Sequence, residues 1–478
     1  MNYTRTRQRA FLPVLVVLNS MVANLTAVSR NTEKQYAKKT SKKFSILHIT
    51  YMKLKNDILK TGGLLMISKK LLAGILAASL ATVPLITTYA SMPDIEDVSY
   101  ASDDEKEEEA PKVDKAANFQ NSVNLTDEVA KGDETSNVMF SPTSLNFALG
   151  MIAEGAKGDT KKVLSDYLGT DNFTEYAKYY LKAAKYFNPD NKEQTYGYSS
   201  KLKIADALWL NKGLTLKDAF KKNVSDNFNA EAQVLDFSDK KKTCSTINKW
   251  CNENTEGLIS EIVKPEAINQ DSQLFLTNSL YFESGWSSPW ELSDKEEKFG
   301  AKEKTKYMES KGDVYYENDA ATAFGKSYAN GLEFIGILPK NEDDFTLDSL
   351  NIKDLLKSEP EYDEVYCKMP KLNFETTAEL SDILSNMGLK NIFSNKADFS
   401  GISDEKLKVG SVLQKTKLEL DENGTKAAAV TSISMETCSV AAPDPVVKNV
   451  DLTRPFAFLI YDSTNDEVLF MGKVVTVQ

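Results

Sequence analysis

Histidine is almost missing from this sequence: of 478 residues only His48 carries an imidazole. Serine and cysteine hydrolases of the usual kind need that ring as general base, and most catalytic zinc sites need at least one as ligand; because His48 falls in residues 1–65, read below as outside the working protein, both classes lose most of their ground here. Cysteine is scarce as well, with four residues and no Cys-x-x-Cys pair, which removes zinc knuckles and dithiol redox motifs. Cys244 and Cys251 fall in "TCSTINKWCNE", a helical stretch whose rise sets them roughly 10 Å apart, too far to bridge. These two and Cys367 read as packed thiols. No internal repeat is visible, and the composition is not that of a collagen, a coiled coil or a disordered chain. Positive charge is lacking where nucleic acid would need it. Of 58 basic side chains, 14 lie in residues 1–90 against two acids, Glu33 and Asp57, leaving 44 basic and 67 acidic groups beyond, a net of −23. A body that acidic repels phosphate backbones.

What the chain does hold is ordered along its length. "MISKKLLAGILAASLATVPLITTYA", residues 66–90, has a Lys69-Lys70 head, an apolar stretch broken at Pro84 and a small-x-small ending, the pattern of a secretory signal peptide; a membrane anchor is the bland alternative. A signal peptide belongs at an N-terminus, so residues 1–65 read as an over-extended gene model with translation starting at Met66; otherwise "FLPVLVVL" (11–18) is a rival apolar segment. Gly62-Gly63 fits a ribosome-binding sequence read through in frame. Residues 91–112 are acidic and poor in large apolar side chains, a disordered linker. From 113 to 478 the apolar periodicity does not lapse, which points to one large domain of mixed α+β class, secreted and extracellular or held at the cell surface. Within it, "SPTSLNFALGMIAEGA" (141–156) has a Ser-Pro helix start and a Gly stop. Residues 271–284 read as a strand, and 455–475 as a hairpin turning at Asn465-Asp466.

The segment "LELDENGTKAAAVTSISMETCSV" (418–440) is written unlike a surface loop. It is not a calcium loop: Glu419, Asp421, Asn423 and Gly424 fit, but the twelfth position is Val430 where a bidentate carboxylate is needed. Ser200-x-x-Lys203 and Ser238-x-x-Lys241 match a Ser-Lys nucleophile spacing without its partner motifs, and Lys240-Lys241-Lys242 reads as the solvated start of a helix rather than a polyanion site. By alternation, Thr425, Ala427, Ala429, Thr431, Ile433 and Met435 share one face; Lys426, Ala428, Val430, Ser432, Ser434 and Glu436 share the other. The first is small, then increasingly apolar, and the second mostly polar: a loop composed as a strand with one face to bury.

A large domain carrying a latent strand after "DENGTKAAAV" resembles the serpin family, from about residue 116 to the end. Five further blocks carry the likeness: "NVMFSPTSLNFALGMIAEGAKGDTKKVL" (137–164), "INKWCNENTEGLISEIV" (247–263), "LTNSLYFESGWSSPWE" (276–291), "MPKLNFETTAELSDILSNMGLKNIFSNKADFSGIS" (369–403) and "RPFAFLIYDSTNDEVLFMGKV" (454–474). The resemblance implies three β-sheets, eight to nine helices and an exposed reactive-centre loop. It implies no cofactor, no catalytic residues of its own, and a suicide-substrate mechanism against serine endopeptidases. In that mechanism the protease cuts the loop, forms an acyl-enzyme, and is trapped as the loop inserts into the main sheet.

Carried onto this chain, the hinge is Glu422, Gly424, Thr425, Ala427, Ala428 and Ala429, small and free of proline. The shutter and breach of the main sheet are Ser141, Ser144, Asn278, Gln414 and Trp286. Gln414 stands where many members have histidine; its amide can serve Ser141 and Ser144. The scissile bond falls at Cys438-Ser439, with Thr437 and Val440 as neighbouring candidates. All are small to mid-sized and uncharged, which suits an elastase-like pocket first, a chymotrypsin-like one second and a papain-like cysteine protease third. An exposed thiol at Cys438 also offers oxidation or an intermolecular disulfide. A monomer is expected, with loop-sheet polymers as its hazard. The rival reading is a non-inhibitory carrier or chaperone on the same fold.

Overall fold

Helix α2 (Pro142–Glu154) explains the architecture, because nearly every one of its residues is buried. Pro142 stands in the first turn, and the Ser141 hydroxyl caps that turn by accepting from Ser144 N at 3.3 Å. The helix stops at Gly155, where a Cβ would meet Ile402 Cγ1 at 2.2 Å, so only glycine lets the two chains touch. An element apolar all round must be covered on all sides. The computed structural model describes residues 112–131, 135–186, 200–288, 290–301, 303–341, 345–425 and 445–477, and shows how that is done.

In chain order the elements are α1 (Lys115–Ala130), β1 (Val138–Phe140), α2, α3 (Gly158–Leu168), α4 (Phe173–Tyr186), β2 (Ser200–Asn211), α5 (Asp218–Phe228), β3 (Glu231–Leu235), α6 (Lys240–Asn254), β4 (Leu274–Gly285), β5 (Glu291–Phe299) and β6 (Glu303–Lys311). There follow β7 (Val314–Glu317), β8 (Ala321–Ser327), β9 (Glu333–Pro339), α7 (Ile352–Leu355), β10 (Glu364–Pro370), β11 (Leu372–Glu379), α8 (Ser381–Leu384), β12 (Val409–Asp421), β13 (Gly424–Thr425), β14 (Val447–Asp451), β15 (Phe456–Asp462) and β16 (Glu467–Val474). Three sheets result: β1-β16-β15-β9-β8-β7, β14-β10-β6-β5, and the main sheet β11-β12-β13-β4-β2-β3. The α+β class and three-sheet fold read from the sequence hold. Eight α-helical segments occur among the described residues, α7 and α8 being single turns of four residues each.

The main sheet is covered on both faces. Leu202, Ile204, Leu208, Leu276, Leu280 and Phe282 pack inward with α2. On the other face Ala205, Ala207, Trp209, Phe275 and Leu413 meet Ile247, Trp250 and Cys251 of α6. The predicted strand 271–284 is β4, and the hairpin 455–475 is β15–β16, antiparallel and turning where Asp466 takes φ of 53°. Cys244, Cys251 and Cys367 are buried free thiols, and burial pushes the last two up to about 12. His48, the expected signal peptide at 66–90 and most of the expected acidic linker lie outside the described residues.

Candidate functional site in the main sheet

Strands β4 and β12 run parallel at the centre of the main sheet, but they do not pair along their whole length. At one end Val409 to Gln414 register with Leu274 to Asn278 as a direct ladder. At the other end β13 stands between them: Gly424 and Thr425 pair antiparallel with Asp421 and Leu420 of β12 and with Gly285 and Ser284 of β4. The sheet is therefore zipped at one end and held apart at the other by a two-residue wedge.

The wedge is made by a turn that its own sequence dictates. Asp421 Oδ1 accepts from Asn423 N at 2.8 Å, closing an Asx turn, and Gly424 follows with φ of 151°, a value that residues with a Cβ rarely adopt. Thr425 is buried, and its Oγ1 lies 2.8 Å from Tyr328 Oη, either hydroxyl being able to donate. Burial drives the Tyr328 phenol well above its ordinary value, so it stays a neutral hydroxyl.

Trp286 closes this end of the sheet. Its indole N–H donates to Asp421 O at 2.9 Å, its backbone N–H donates to Asn423 O at 3.0 Å, and Trp290 N donates to Glu422 O at 3.1 Å. The Trp286 ring stacks on Tyr328 with centroids 4.3 Å apart. Glu422 Oε2 sits 2.5 Å from Lys371 Nζ as an ion pair rather than an aligned hydrogen bond. Partial burial pushes the Glu422 carboxyl up, but the Lys371 ammonium outweighs it and leaves the group below its usual range.

At the zipped end a buried polar cluster joins β4, β12 and α2. The Gln414 amide accepts from Ser141 N at 2.8 Å and donates to Ser141 O at 2.9 Å and to Asn278 Oδ1 at 2.6 Å. Asn278 Oδ1 also accepts from Ser144 Oγ at 3.3 Å. The expected shutter residues are thus brought together, with one difference from the sequence reading: Gln414 serves Ser141 through its backbone and reaches Ser144 only by way of Asn278.

A family model for serpins, described as serine protease inhibitors, matches residues 116–477. The chain belongs to the serpin family. It is 33% identical over 357 residues to an uncharacterized serpin-like protein of Thermococcus kodakarensis, covering 71% of this chain and 80% of that one. It is 28% identical to the rat alpha-1-antiproteinase over 403 residues, 79% of this chain and 94% of that protein. Among solved structures, the thermophilic serpin tengpin in its native state superposes with a TM-score of 0.65 at 28% identity, covering 76% of this chain and 95% of that one. Serpins are as a family protease inhibitors rather than enzymes.

Of the expected serpin hinge, Glu422, Gly424 and Thr425 are placed as above, while Ala427, Ala428 and Ala429 lie outside the described residues, as do Thr437, Cys438, Ser439 and Val440. Sequence reasoning missed Tyr328, Trp290 and Lys371. Trp290 stood four residues after Trp286 in the quoted block 276–291, whereas no spacing signals Tyr328 or Lys371, which come from other strand ends and meet the hinge only in the folded sheet. The Ser-Lys spacings carry no dyad. Ser200 Oγ meets Ser284 Oγ at 2.9 Å while Lys203 pairs with Glu256, and Ser238 Oγ donates to Asp236 at 2.5 Å.

Proposed function

We propose that this serpin traps serine proteases of elastase-like specificity as acyl-enzymes, by inserting residues 426–436 of its cleaved loop between β12 and β4. The observation that carries the reading is the register of the wedge. Thr425 stands opposite Leu420 and Ser284. Continuing that antiparallel register sets Ala427 between Leu418 and Phe282, Ala429 between Thr416 and Leu280, Thr431 between Gln414 and Asn278, and Ile433 between Val412 and Leu276. Every residue of the loop's apolar face then meets the inward face of the sheet, seven of these eight partners being core or shutter side chains. Thr431, the polar member of that face, lands on the shutter amides. On the outer face Lys426 comes between Glu419 and Glu283, the two acids able to receive it.

The same register sets the length of the inserted strand. Met435 comes opposite Leu274, the start of β4, and Glu436 opposite Val409, the start of β12. Cys438 follows two residues later, just past the edge of the sheet. In the reaction the protease serine attacks the Cys438 carbonyl, the Ser439 amine leaves, and an ester joins the two proteins. Insertion exchanges a short parallel ladder for two antiparallel ones and buries an apolar face, which drives the ester and its protease to the far end of the sheet before water can cleave it. The uncharged Thr437, Cys438, Ser439 and Val440 support a small apolar specificity pocket, with chymotrypsin-like enzymes next. The leader at 66–90 supports an extracellular setting.

The test mixes the serpin with pancreatic elastase near equal molarity. The expected result is a denaturant-stable band at the summed mass, a released peptide beginning at Ser439, and a large rise in melting temperature on cleavage. Cleavage without adduct and without that rise would replace the reading with a non-inhibitory carrier. An adduct with papain-like enzymes alone would replace the protease class.

A further inference from the structure

We infer, on the basis of the loop insertion proposed above, that Asp206 is a latent hydrogen-bond acceptor for Asn278, unused in the intact sheet and taken up when a strand is added between β4 and β12. Asp206 lies on β2 directly opposite Asn278 of β4. Alternation with Ile204 and Leu208 turns it to the face covered by α2, the face on which Asn278 meets Ser144. Side chains opposite one another in an antiparallel pair have Cβ atoms about 4.5–5.5 Å apart, within reach of an amide and a carboxyl. Asp206 is 1% exposed, and neither of its carboxyl oxygens has a hydrogen-bond partner. Burial alone drives that carboxyl well above its ordinary range. Neutral or ionised, it keeps an oxygen able to accept. A buried acceptor left unmatched is a cost that the intact protein carries.

What withholds the donor is β12. Asn278 is fully buried, and its Oδ1 accepts from Gln414 Nε2 at 2.6 Å and from Ser144 Oγ at 3.3 Å. Its Nδ2, with two hydrogens to give, makes one long bond, 3.4 Å, to Leu413 O. Gln414 and Leu413 both belong to β12, so two of the three contacts that hold the amide come from the strand that must move. Neighbouring strands lie about 4.8 Å apart, and an added strand carries β12 to about twice that distance from β4, breaking both. On the other flank of β4, β2 is paired with it from Ser200 to Leu210 and has no reason to part. Asn278 Oδ1 stays with Ser144, and Nδ2 exchanges a long bond to β12 for one to Asp206. An acceptor orphaned in the intact sheet is thereby matched only in the inserted one, and Asp206 acts through Asn278 as a positioning residue that widens the stability gap between the two forms.

The test compares the intact full-length chain with the same chain cut once in the loop and purified free of protease, both melted in enough guanidinium to bring them into range. Wild type, Asp206→Leu, Asp206→Ala and Asp206→Asn are measured side by side. The cut wild type should melt well above the intact one. Asp206→Leu keeps the outline of the side chain without its oxygens; it should raise the intact form and leave the cut form level or lower, narrowing the gap by about 2 °C or more. Asp206→Ala should narrow the gap likewise, with no added volume to fit. Asp206→Asn, which keeps an accepting oxygen, should restore the wild-type gap. A carboxyl that only fills space, or that a buried water meets in both forms, would shift both melting temperatures alike. A gap unchanged in Asp206→Leu and Asp206→Ala therefore overturns the inference and leaves insertion standing. A cut wild type that melts no higher than the intact chain overturns insertion itself, and this inference with it.

Discussion

Replacing Thr425 by arginine tests the wedge directly. Thr425 is 3% exposed, pairs with Leu420 and Ser284, and shares a 2.8 Å hydroxyl contact with Tyr328. An arginine there cannot reach water while the hinge is threaded, and desolvating its guanidinium without a carboxylate costs several kcal/mol. The uncleaved protein avoids most of this by letting the two hinge residues leave the sheet, giving up a few backbone hydrogen bonds of about 1 kcal/mol each. The cleaved loop has no such escape, because every later residue must follow position 425 between β12 and β4. If passage of that position limits insertion, about 3–4 kcal/mol slows it by a factor of roughly 10² to 10³, since each 1.36 kcal/mol is tenfold. Hydrolysis of the acyl-enzyme then wins. Titrating elastase activity against inhibitor should show the stoichiometry rising from near one to many molecules cleaved per protease, with loss of the summed-mass band on gels. If Thr425→Arg still traps protease near one to one, insertion does not begin at this hinge and the register argument fails.

Two further outcomes follow from the same geometry. Gln414→Leu removes an amide that holds Ser141 N, Ser141 O and Asn278 Oδ1 in a buried site, and should cost the uncleaved protein about 2–4 kcal/mol by denaturant melting. The cleaved form should lose less, because Thr431 then stands between Gln414 and Asn278. Lys426→Glu puts a third acid beside Glu419 and Glu283, and should lower the stability of the cleaved form by about 1–2 kcal/mol while leaving the intact form unchanged; equal effects on both would refute the pairing.

Glu467 gives a pH signature. Burial raises its carboxyl to about 7, with Tyr180 Oη and Thr143 Oγ1 each donating to it at 2.8 Å. A carboxyl raised on folding contributes stability that is complete below about pH 4.5 and is lost as pH climbs to about 7. Glu467→Gln should therefore remove up to roughly 3 kcal/mol of the fall in stability between pH 4 and 8, and unchanged pH dependence in chemical denaturation would exclude the assignment.

Much of this was legible in the residues alone. Alternation along 425–436 reads as a strand with one face to bury, because side chains in an extended chain alternate whatever sheet receives them, and of that stretch Thr425 is a described strand residue, in β13. The Ser-Pro start and Gly stop bounded α2, and the run of apolar residues at 455–475 could only be buried strands. The shutter and breach residues were named from motif likeness, and the fold brings them together as two clusters. What the residues could not express is depth of insertion and partnership across the sheet. That Gly424 and Thr425 are hydrogen-bonded between β12 and β4 depends on the register of strands separated by more than 100 residues. Tyr328 and Lys371 join the hinge for the same reason, since side chains from separate strand ends have no common spacing to betray them.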